Sequence, residues 1–486
     1  MRCSKRMTRR TFLAGTAAGG ATLLVAGPRV FGANERISVG VIGCGGRGTG
    51  HVGWVKGSGG EVVAVSDPDV GHMARAAKKA GGDVKQYQDL RKLLDDKRVD
   101  AVAIATPNHW HALSTIMACE AGKDVYCEKP ASHSIWEGRM MVKAARKYKR
   151  IVQIGTQQRS DPAFITLREK IRKKELGKIQ WVHSLWYAHR GPIGKVDGPQ
   201  KVPDGVDYSL WCGPRKVVPL MRKRFHYDWH WFWPYGNGDM GNRVIHTIDD
   251  VHHVFDIGED VPTRMIGVGG RFQYNDDATT PNTEFIVMKW KVPIIFGSRN
   301  LPYVDEKGNK KGTSVYRRFG RGFRFSNIVK CEGGFFAVSR GGGAVYDNDG
   351  KQTEKIKGDG GAGHMRNWLE AVKSRKVEHL RADVLGGHLS SVMLHTGNIS
   401  YRVGERVGVE QVSKAVEGIE EAEETWKQTR DHLKRNGVDL GKERPILGPW
   451  LTFDPKSERF TGEGADAANA LVKESYRPPF TIEDRV

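Results

Sequence analysis

A lysine set between an acid and a proline, Glu128-Lys129-Pro130, closes the short run Asp124 to Cys127. At the end of a strand in an open α/β sheet such a lysine points into the binding crevice, and Pro130 biases its backbone toward an extended conformation. A positively charged nicotinamide beside it would lower its pKa toward the range of a general base. From three residues alone, a surface lysine next to a turn accounts for the pattern equally well. Upstream, Ile37 to Ile42 leads into Gly43-Cys44-Gly45-Gly46-Arg47-Gly48, and nineteen residues beyond Gly48 a second apolar run ends in Asp67. In that setting the loop is a dinucleotide fingerprint. Gly43 permits a tight turn, Gly45 lets the backbone approach a pyrophosphate, and Gly48 lets the next helix pack closely with its amides facing the phosphates. Gly46 and Arg47 belong to the same cofactor-binding loop. Asp67 should accept from the adenine-ribose hydroxyls, and its charge repels a 2'-phosphate, so NAD is expected in preference to NADP.

A second constellation runs from Gly236 through Asp239, Asn242 and His246 to Asp249. If it is helical, Asp239, Asn242 and His246 lie along one face at spacings of three and four. Asparagine can orient a hydroxyl but cannot take its proton. His246, Asp249, Asp250, His252 and His253 also have a spacing that zinc ligands use, but each has a role without a metal, and none is expected. The aromatic run Trp229 to Tyr235 offers faces that stack on sugar C–H groups, Trp231 above all, with Trp186, Tyr187, His189 and Arg190 as further candidates.

These groups need elements to hold them. Apolar strands near Val39, Val63, Val102, Val125 and Val152 alternate with helices near Ala76, Leu93, Thr115 and Val142, which predicts a doubly wound parallel sheet. Ligands should bind beyond its carboxyl ends, where Asp67, Thr106-Pro107-Asn108-His109 and Glu128-Lys129 fall. After Gly155 the pattern changes to long strands, 179–188, 265–274, 284–291 and 334–339, implying a largely antiparallel open sheet with one face covered by helices. Helical periodicity returns at 365–374 and 382–403, and a charged helix is expected over 412–435. The division is a signal over residues 1–33, a nucleotide domain over 34–155, a substrate domain over 156–405, and a C-terminal helix with a wrapping tail over 406–486.

The signal is read from Thr8-Arg9-Arg10-Thr11-Phe12-Leu13, followed by a small apolar run from Ala14 to Ala26 with no acid before Glu35. This is the pattern of twin-arginine export, and the run is too short for a membrane anchor, which needs roughly 20 residues. A periplasmic or otherwise exported protein is expected. The formal charge is +21, and six positive residues ahead of Asn34 leave +15 without them. The basic residues are dispersed and no nucleic-acid motif appears. Cys3, Cys44, Cys119, Cys127, Cys212 and Cys331 form no regular framework and are expected as buried thiols.

Gly43 to Gly48, Thr106-Pro107-Asn108-His109-Trp110-His111, Glu128-Lys129-Pro130 and Gln153-Ile154-Gly155-Thr156-Gln157 together resemble the Gfo/Idh/MocA oxidoreductases, over roughly residues 36–405. The resemblance implies a Rossmann domain (34–155) followed by an α/β domain, NAD(P) in the crevice against Thr106, Pro107, Asn108, His111 and Glu128, and a sugar or cyclitol substrate. It implies a catalytic role for Lys129. It also implies an Asp and, four residues later, a His near the reacting carbon. His246 with Asp249 matches the His end, whereas Asn242 stands where the Asp is expected. The reading that follows is an exported oxidoreductase in which Lys129, assisted by His246, removes a hydroxyl proton while Asn242 and Asp239 orient the substrate. Trp231, Tyr187 and Asp249 are its substrate contacts, its NAD is tightly held and internally recycled, and by analogy of fold it is a homo-oligomer. Two alternatives remain open. One is an oxidation-elimination glycosidase, which needs a further base such as Tyr187, His183 or His230. The other is a non-catalytic sugar-binding protein.

Overall fold

The nucleotide half forms where short runs are apolar on both faces: β1 (Ser38–Ile42), β2 (Glu61–Ser66), β3 (Lys85–Tyr87), β4 (Ala101–Ile104), β5 (Asp124–Cys127) and β6 (Val152–Ile154). The computed structural model describes residues 36–305 and 307–486, so the twin-arginine segment lies outside the described residues. All six strands are parallel, in the order β3-β2-β1-β4-β5-β6. Strand order reverses between β1 and β4, so their carboxyl ends open a crevice. The intervening helices are α1 (Gly46–Gly57), α2 (Val70–Ala80), α3 (Leu90–Asp95), α4 (Asn108–Glu120) and α5 (Ile135–Lys147). Asp69 caps α2 by accepting from the amides of Gly71 and His72 at 2.7 and 3.1 Å, and Asp89 caps α3. β3, with three residues and no fully buried one, carries no periodic signal and was not expected.

The second half begins with α6 (Pro162–Arg172), β7 (Ile179–Tyr187), α7 (Tyr208–Cys212), α8 (Ile245–Val254), β8 (Arg264–Gly270), β9 (Thr283–Lys289) and β10 (Pro293–Arg299). Two small hairpins follow, β11 (Pro302–Val304) with β12 (Lys310–Thr313) and β13 (Tyr316–Arg318) with β14 (Arg321–Phe323). Next come β15 (Phe325–Cys331), β16 (Gly334–Ser339), β17 (Gly342–Tyr346), β18 (Gln352–Lys357), α9 (His364–Ser374) and α10 (Val384–Arg402). The chain closes with β19 (Glu405–Arg406), α11 (Val409–Ala415), α12 (Glu420–Arg435), β20 (Ile446–Leu447), β21 (Leu451–Asp454) and β22 (Arg459–Thr461), ahead of a short last helix. The large sheet runs β18-β17-β16-β15-β7-β10-β9-β8-β20-β19, with β21 also on β8 and β22 on β21. Among the described residues of this sheet, only β7 and β10 pair in parallel.

Alternation along the strands divides two cores. Ile286 and Met288 of β9 face α8 and α10, where Ile248, Val251 and Met393 meet them. Phe285 and Val287 face the other way, onto Val412 of α11, Val416 just beyond it and Trp426 of α12. An open face was expected here. The C-terminal helices of the same chain cover it over β8–β10. The tail also differs from a purely wrapping segment. Leu451 and Phe453 are buried while Thr452 is exposed, a strand period that the surrounding Pro and Gly conceal, and burying each side chain is worth about 1.5–3 kcal/mol. Further on, Phe480 and Ile482 pack into the core of the nucleotide half with Trp110. α9 likewise returns, burying Trp368 and Leu369 against β1 and β2 residues. Among the described residues no helix is long and apolar enough to cross a membrane, and Cys44, Cys119, Cys127, Cys212 and Cys331 are buried free thiols.

Candidate active site

At the crevice, Gly43 has φ of +82° and a Cβ there would meet the Ala105 carbonyl carbon at 2.7 Å. A Cβ on Gly48 would lie 1.7 Å from the Gly43 carbonyl oxygen. Both positions therefore require glycine, for the turn and for the approach of α1 respectively. A Cβ on Gly46 would meet nothing within 4 Å, and one on Gly45 nothing nearer than His72 at 3.6 Å. Those two glycines leave open the space that a pyrophosphate would fill. α1 has no side-chain cap and no acid in its first turn, so its leading amides are available to phosphate oxygens. The loop borders a cavity of about 620 Å³ lined by Gly43, Gly45, Gly46, Arg47 and Asp67 together with Thr106, Pro107, Asn108, His111, Glu128, Lys129 and Asn242. Gly48 lies behind it, against Gly43.

Asp67 is fixed at the end of β2. Its Oδ2 accepts from the Cys44 amide at 2.6 Å and its Oδ1 from the Asp69 amide at 2.9 Å. A carboxylate thus held can take ribose hydroxyls and opposes a phosphate. Asp67→Ala is expected to weaken NAD about 10- to 100-fold, the worth of a hydrogen bond to a charged group, and to improve NADP relative to it. Nucleotide titrations of the two proteins test this, and an unchanged preference would remove Asp67 from the site.

Glu128 is a buried residue of the cavity lining. Burial alone would raise its pKa, but His51 Nε2 at 3.1 Å and the Arg47 guanidinium at 3.7 Å hold it well below the usual carboxylate range. Gln157 Nε2 also donates to it at 3.3 Å. Next to it, the Lys129 ammonium donates to the carbonyl of Asn242. Burial pushes the Lys129 pKa down to about 8 although Glu128 opposes the shift. Desolvation by the protein thus supplies an effect that the sequence reading ascribed to a nicotinamide. His111 faces the carbonyls of Pro130 and Thr106 at 2.7 and 2.9 Å, and burial lowers its pKa.

The 239–249 segment is not one regular helix. Met240–Val244 forms a π-helical turn before α8, a wide turn of the kind found at functional sites. Asn242 Nδ2 donates to Asp239 Oδ1 at 3.3 Å, and Asn300 Nδ2 donates to Asp239 Oδ2. His246 is 6% exposed, with its ring centroid 5.9 Å from that of Trp186. Burial, reinforced by Lys129, pushes its pKa down to about 3. It is a neutral imidazole near pH 7, suited to hydrogen bonding and ill suited to holding a second proton.

Three expected substrate contacts are not brought to the cavity. On β7, Trp186 faces α8 while Trp181, His183, Leu185 and Tyr187 face the opposite side of the sheet. Tyr187 is buried there with the Arg299 guanidinium 4.5 Å from its ring centre, and His183 Nδ1 lies 2.8 Å from Glu421 of α12. Asp249 is buried in an ion pair with Arg159, at 2.7 and 2.8 Å, and accepts from Ser390. Trp231 is 4% exposed, beneath the Arg190 guanidinium at 4.9 Å. Tyr227, Trp229 and His230 line the cavity in its place. Asp250 receives Gln158 and Asn327, and His252 meets the Gly258 carbonyl. Sequence reasoning missed Tyr227, which no pattern marks, and Asn300, which follows a strand that was not read.

Residues 37–156 match the family model described as oxidoreductase family, NAD-binding Rossmann fold, and residues 182–294 match its C-terminal alpha/beta domain. Inositol 2-dehydrogenase 1 of Saccharopolyspora erythraea is 36% identical over 152 residues, 31% of this chain and 45% of that protein. Inositol 2-dehydrogenase of Salmonella typhimurium is 34% identical over 177 residues, 36% of this chain and 52% of that protein. The chain spans about half the length of these curated relatives. Among solved structures, the WlbA dehydrogenase from Bordetella pertussis in complex with NADH and UDP-GlcNAcA superposes with a TM-score of 0.54 at 17% identity, over 74% of this chain and 94% of that one. Levoglucosan dehydrogenase in complex with NADH and levoglucosan gives 0.54 at 16%, over 74% and 95%. At such identities the likeness is one of fold.

Proposed function

The chain belongs to the Gfo/Idh/MocA oxidoreductase family, and on that premise we propose that it is an exported, NAD-dependent dehydrogenase of a ring hydroxyl on a sugar, glycoside or cyclitol, with a cofactor that stays bound and is recycled in place. The observation that carries this reading is Lys129, an amine with a pKa near 8 in the wall of the cavity that the glycine cradle opens into. Its neutral form takes the hydroxyl proton, Asn242 and Asp239 orient the ring, and His246 offers a neutral hydrogen-bonding group beside them. When bound, the nicotinamide supplies the acceptor for the hydride. A sugar-binding protein without catalysis would have no use for a desolvated lysine.

Retention of the cofactor is supported by the segment 202–230, which is tied to residues 68–70 and contributes to the cavity wall. The Val70 amide donates to the Gly205 carbonyl at 3.2 Å, the Asp207 amide to the Pro68 carbonyl at 2.9 Å, and His226 Nε2 meets Asp69 Oδ2 at 2.8 Å. Trp211, Tyr227, Trp229 and His230 of this strap line the same cavity as the glycine loop. Protein from the exported fraction, passed through a desalting column, is expected to keep stoichiometric nucleotide and to turn over without added NAD. A stripped column product that depends on external NAD would overturn the closed cycle, and cell fractionation would test export separately. The oxidation-elimination reading has less support. Of its three candidate bases only His230 lines the cavity, and burial pushes its pKa down to about 3.

A further inference from the structure

The substrate side of Lys129 carries more positive charge than its carboxylates balance. Arg190, just beyond β7, lies with Nε 3.4 Å from Asp239 Oδ1, gives Nη1 to the Tyr227 hydroxyl at 2.8 Å, and rests 5.3 Å from the centre of that ring. Arg243 occupies the π-helical turn next to Asn242, whose carbonyl receives Lys129. From Asp239 to Asp250 only Asn242 and Arg243 are half-buried; the rest are buried. Arg243 interacts with Asp239, Arg190 and Tyr227, and Tyr227 lines the cavity together with Asn242. The Arg243 Nη1 is nevertheless buried, with no hydrogen-bond partner among the described residues. Burial presses the Arg243 pKa down, and Arg190 adds to that against Asp239.

Lys129 has Glu128 and Asp239 as its opposing charges, whereas Arg190 and Arg243 share Asp239, which already receives Asn242 and Asn300. Glu128 is held by His51 and Arg47. A desolvated guanidinium with an orphaned N–H beside another cation is costly unless an anion joins it. Guanidinium groups receive carboxylates through paired, charge-assisted hydrogen bonds.

We propose that Arg243 and Arg190 form an anion subsite beside Lys129, and that the saccharide oxidised here carries a carboxylate: a uronic acid or a uronide. The proposal rests on the dehydrogenase reading for the word oxidised, and on the arginine geometry alone for the anion. The net charge of +15 beyond residue 33 would favour the approach of such a ligand. A sulfate ester offers the same anionic oxygens from a different source, and the test separates the two.

Calorimetric titration of the full protein with its retained nucleotide would use methyl glycosides in matched pairs, hexoside against hexuronide, in the gluco, galacto and manno series, together with the 6-sulfates. In at least one series the uronide is expected to bind about 10- to 100-fold tighter than the neutral glycoside, the range for hydrogen bonds to a charged group. Arg243→Met should abolish most of that preference and Arg243→Lys should retain part of it, which guards against a folding artefact. Equal binding of the uronide and neutral partner in every series would overturn the subsite, as would a preference that survives in Arg243→Met. A 6-sulfate that outbinds the uronide would keep the subsite and overturn the carboxylate. Absorbance of the bound nicotinamide distinguishes the parent reading. Arg243-dependent uronide binding without its reduction would leave the subsite standing and sink the dehydrogenase.

Discussion

Replacing Lys129 with methionine is expected to lower turnover about 10²- to 10⁴-fold, the usual contribution of a positioned proton carrier, while nucleotide stays bound. The two functions separate because the cradle of Gly43, Gly45 and Gly46 and the carboxylate of Asp67 are groups distinct from the lysine, whose ammonium donates to the Asn242 carbonyl. The pH profile supplies a second readout. Burial sets the Lys129 pKa at about 8, so the base form accumulates as pH rises through that value. Oxidation of a hydroxyl should therefore speed up toward a plateau above pH 8, and reduction of the ketone, which needs the ammonium, should slow down. Single-turnover measurements on the bound nicotinamide of both proteins would show this inflection in the wild type and its loss in the variant. An inflection that persists without Lys129 would assign the proton to another group.

Asp249→Ala is expected to cost about 3–5 kcal/mol of stability, the usual effect of leaving one partner of a buried ion pair uncompensated. Arg159 would be that partner, with 8% of its side chain exposed and both its Nε and Nη2 donating to Asp249. Burial would raise the Asp249 pKa, but Arg159 and then Ser390 more than offset it, so the folded carboxyl titrates below its unfolded value. Its contribution is therefore complete at neutral pH and is lost as acid passes below the ordinary carboxylate pKa of about 3.9 toward the folded one. Urea unfolding of wild type and variant at pH 7 and at low pH measures both effects. Unchanged stability with a raised KM would instead make Asp249 a substrate contact, as its place in the sequence pattern suggested.

Much of the nucleotide half could be read from the chain itself. Gly43 and Gly48 are required by backbone distances within a few residues or across adjacent strands, and an apolar strand followed by glycines and a distant acid leaves few other arrangements. The place of Lys129 at a strand end was legible as well, because a strand end in a parallel sheet has only one side on which ligands bind, while its catalytic role, rather than that of a surface lysine, was read only from the family resemblance. The places of Tyr187 and Asp249 were not legible. Whether a strand residue faces the cavity or the opposite core depends on which helices cover each face, and α12, which claims the Tyr187 side, lies more than 200 residues later in the chain.

What the sequence alone determined is the cofactor fold, the position of its glycines, Asp67 and Lys129, and the family whose pattern they share. These follow from local backbone geometry and from apolar periodicity, both of which are written residue by residue. The tertiary structure decided the rest: the π-helical turn that sets Asn242 against Asp239, the strap that places Tyr227 and Trp229 in the cavity wall, the burial that makes Lys129 a usable base and keeps His246 neutral, and the crowding of Arg190 and Arg243 around one carboxylate. Each of these is a sum of desolvation and charge over residues distant in the chain, and such sums exist only once the chain has folded.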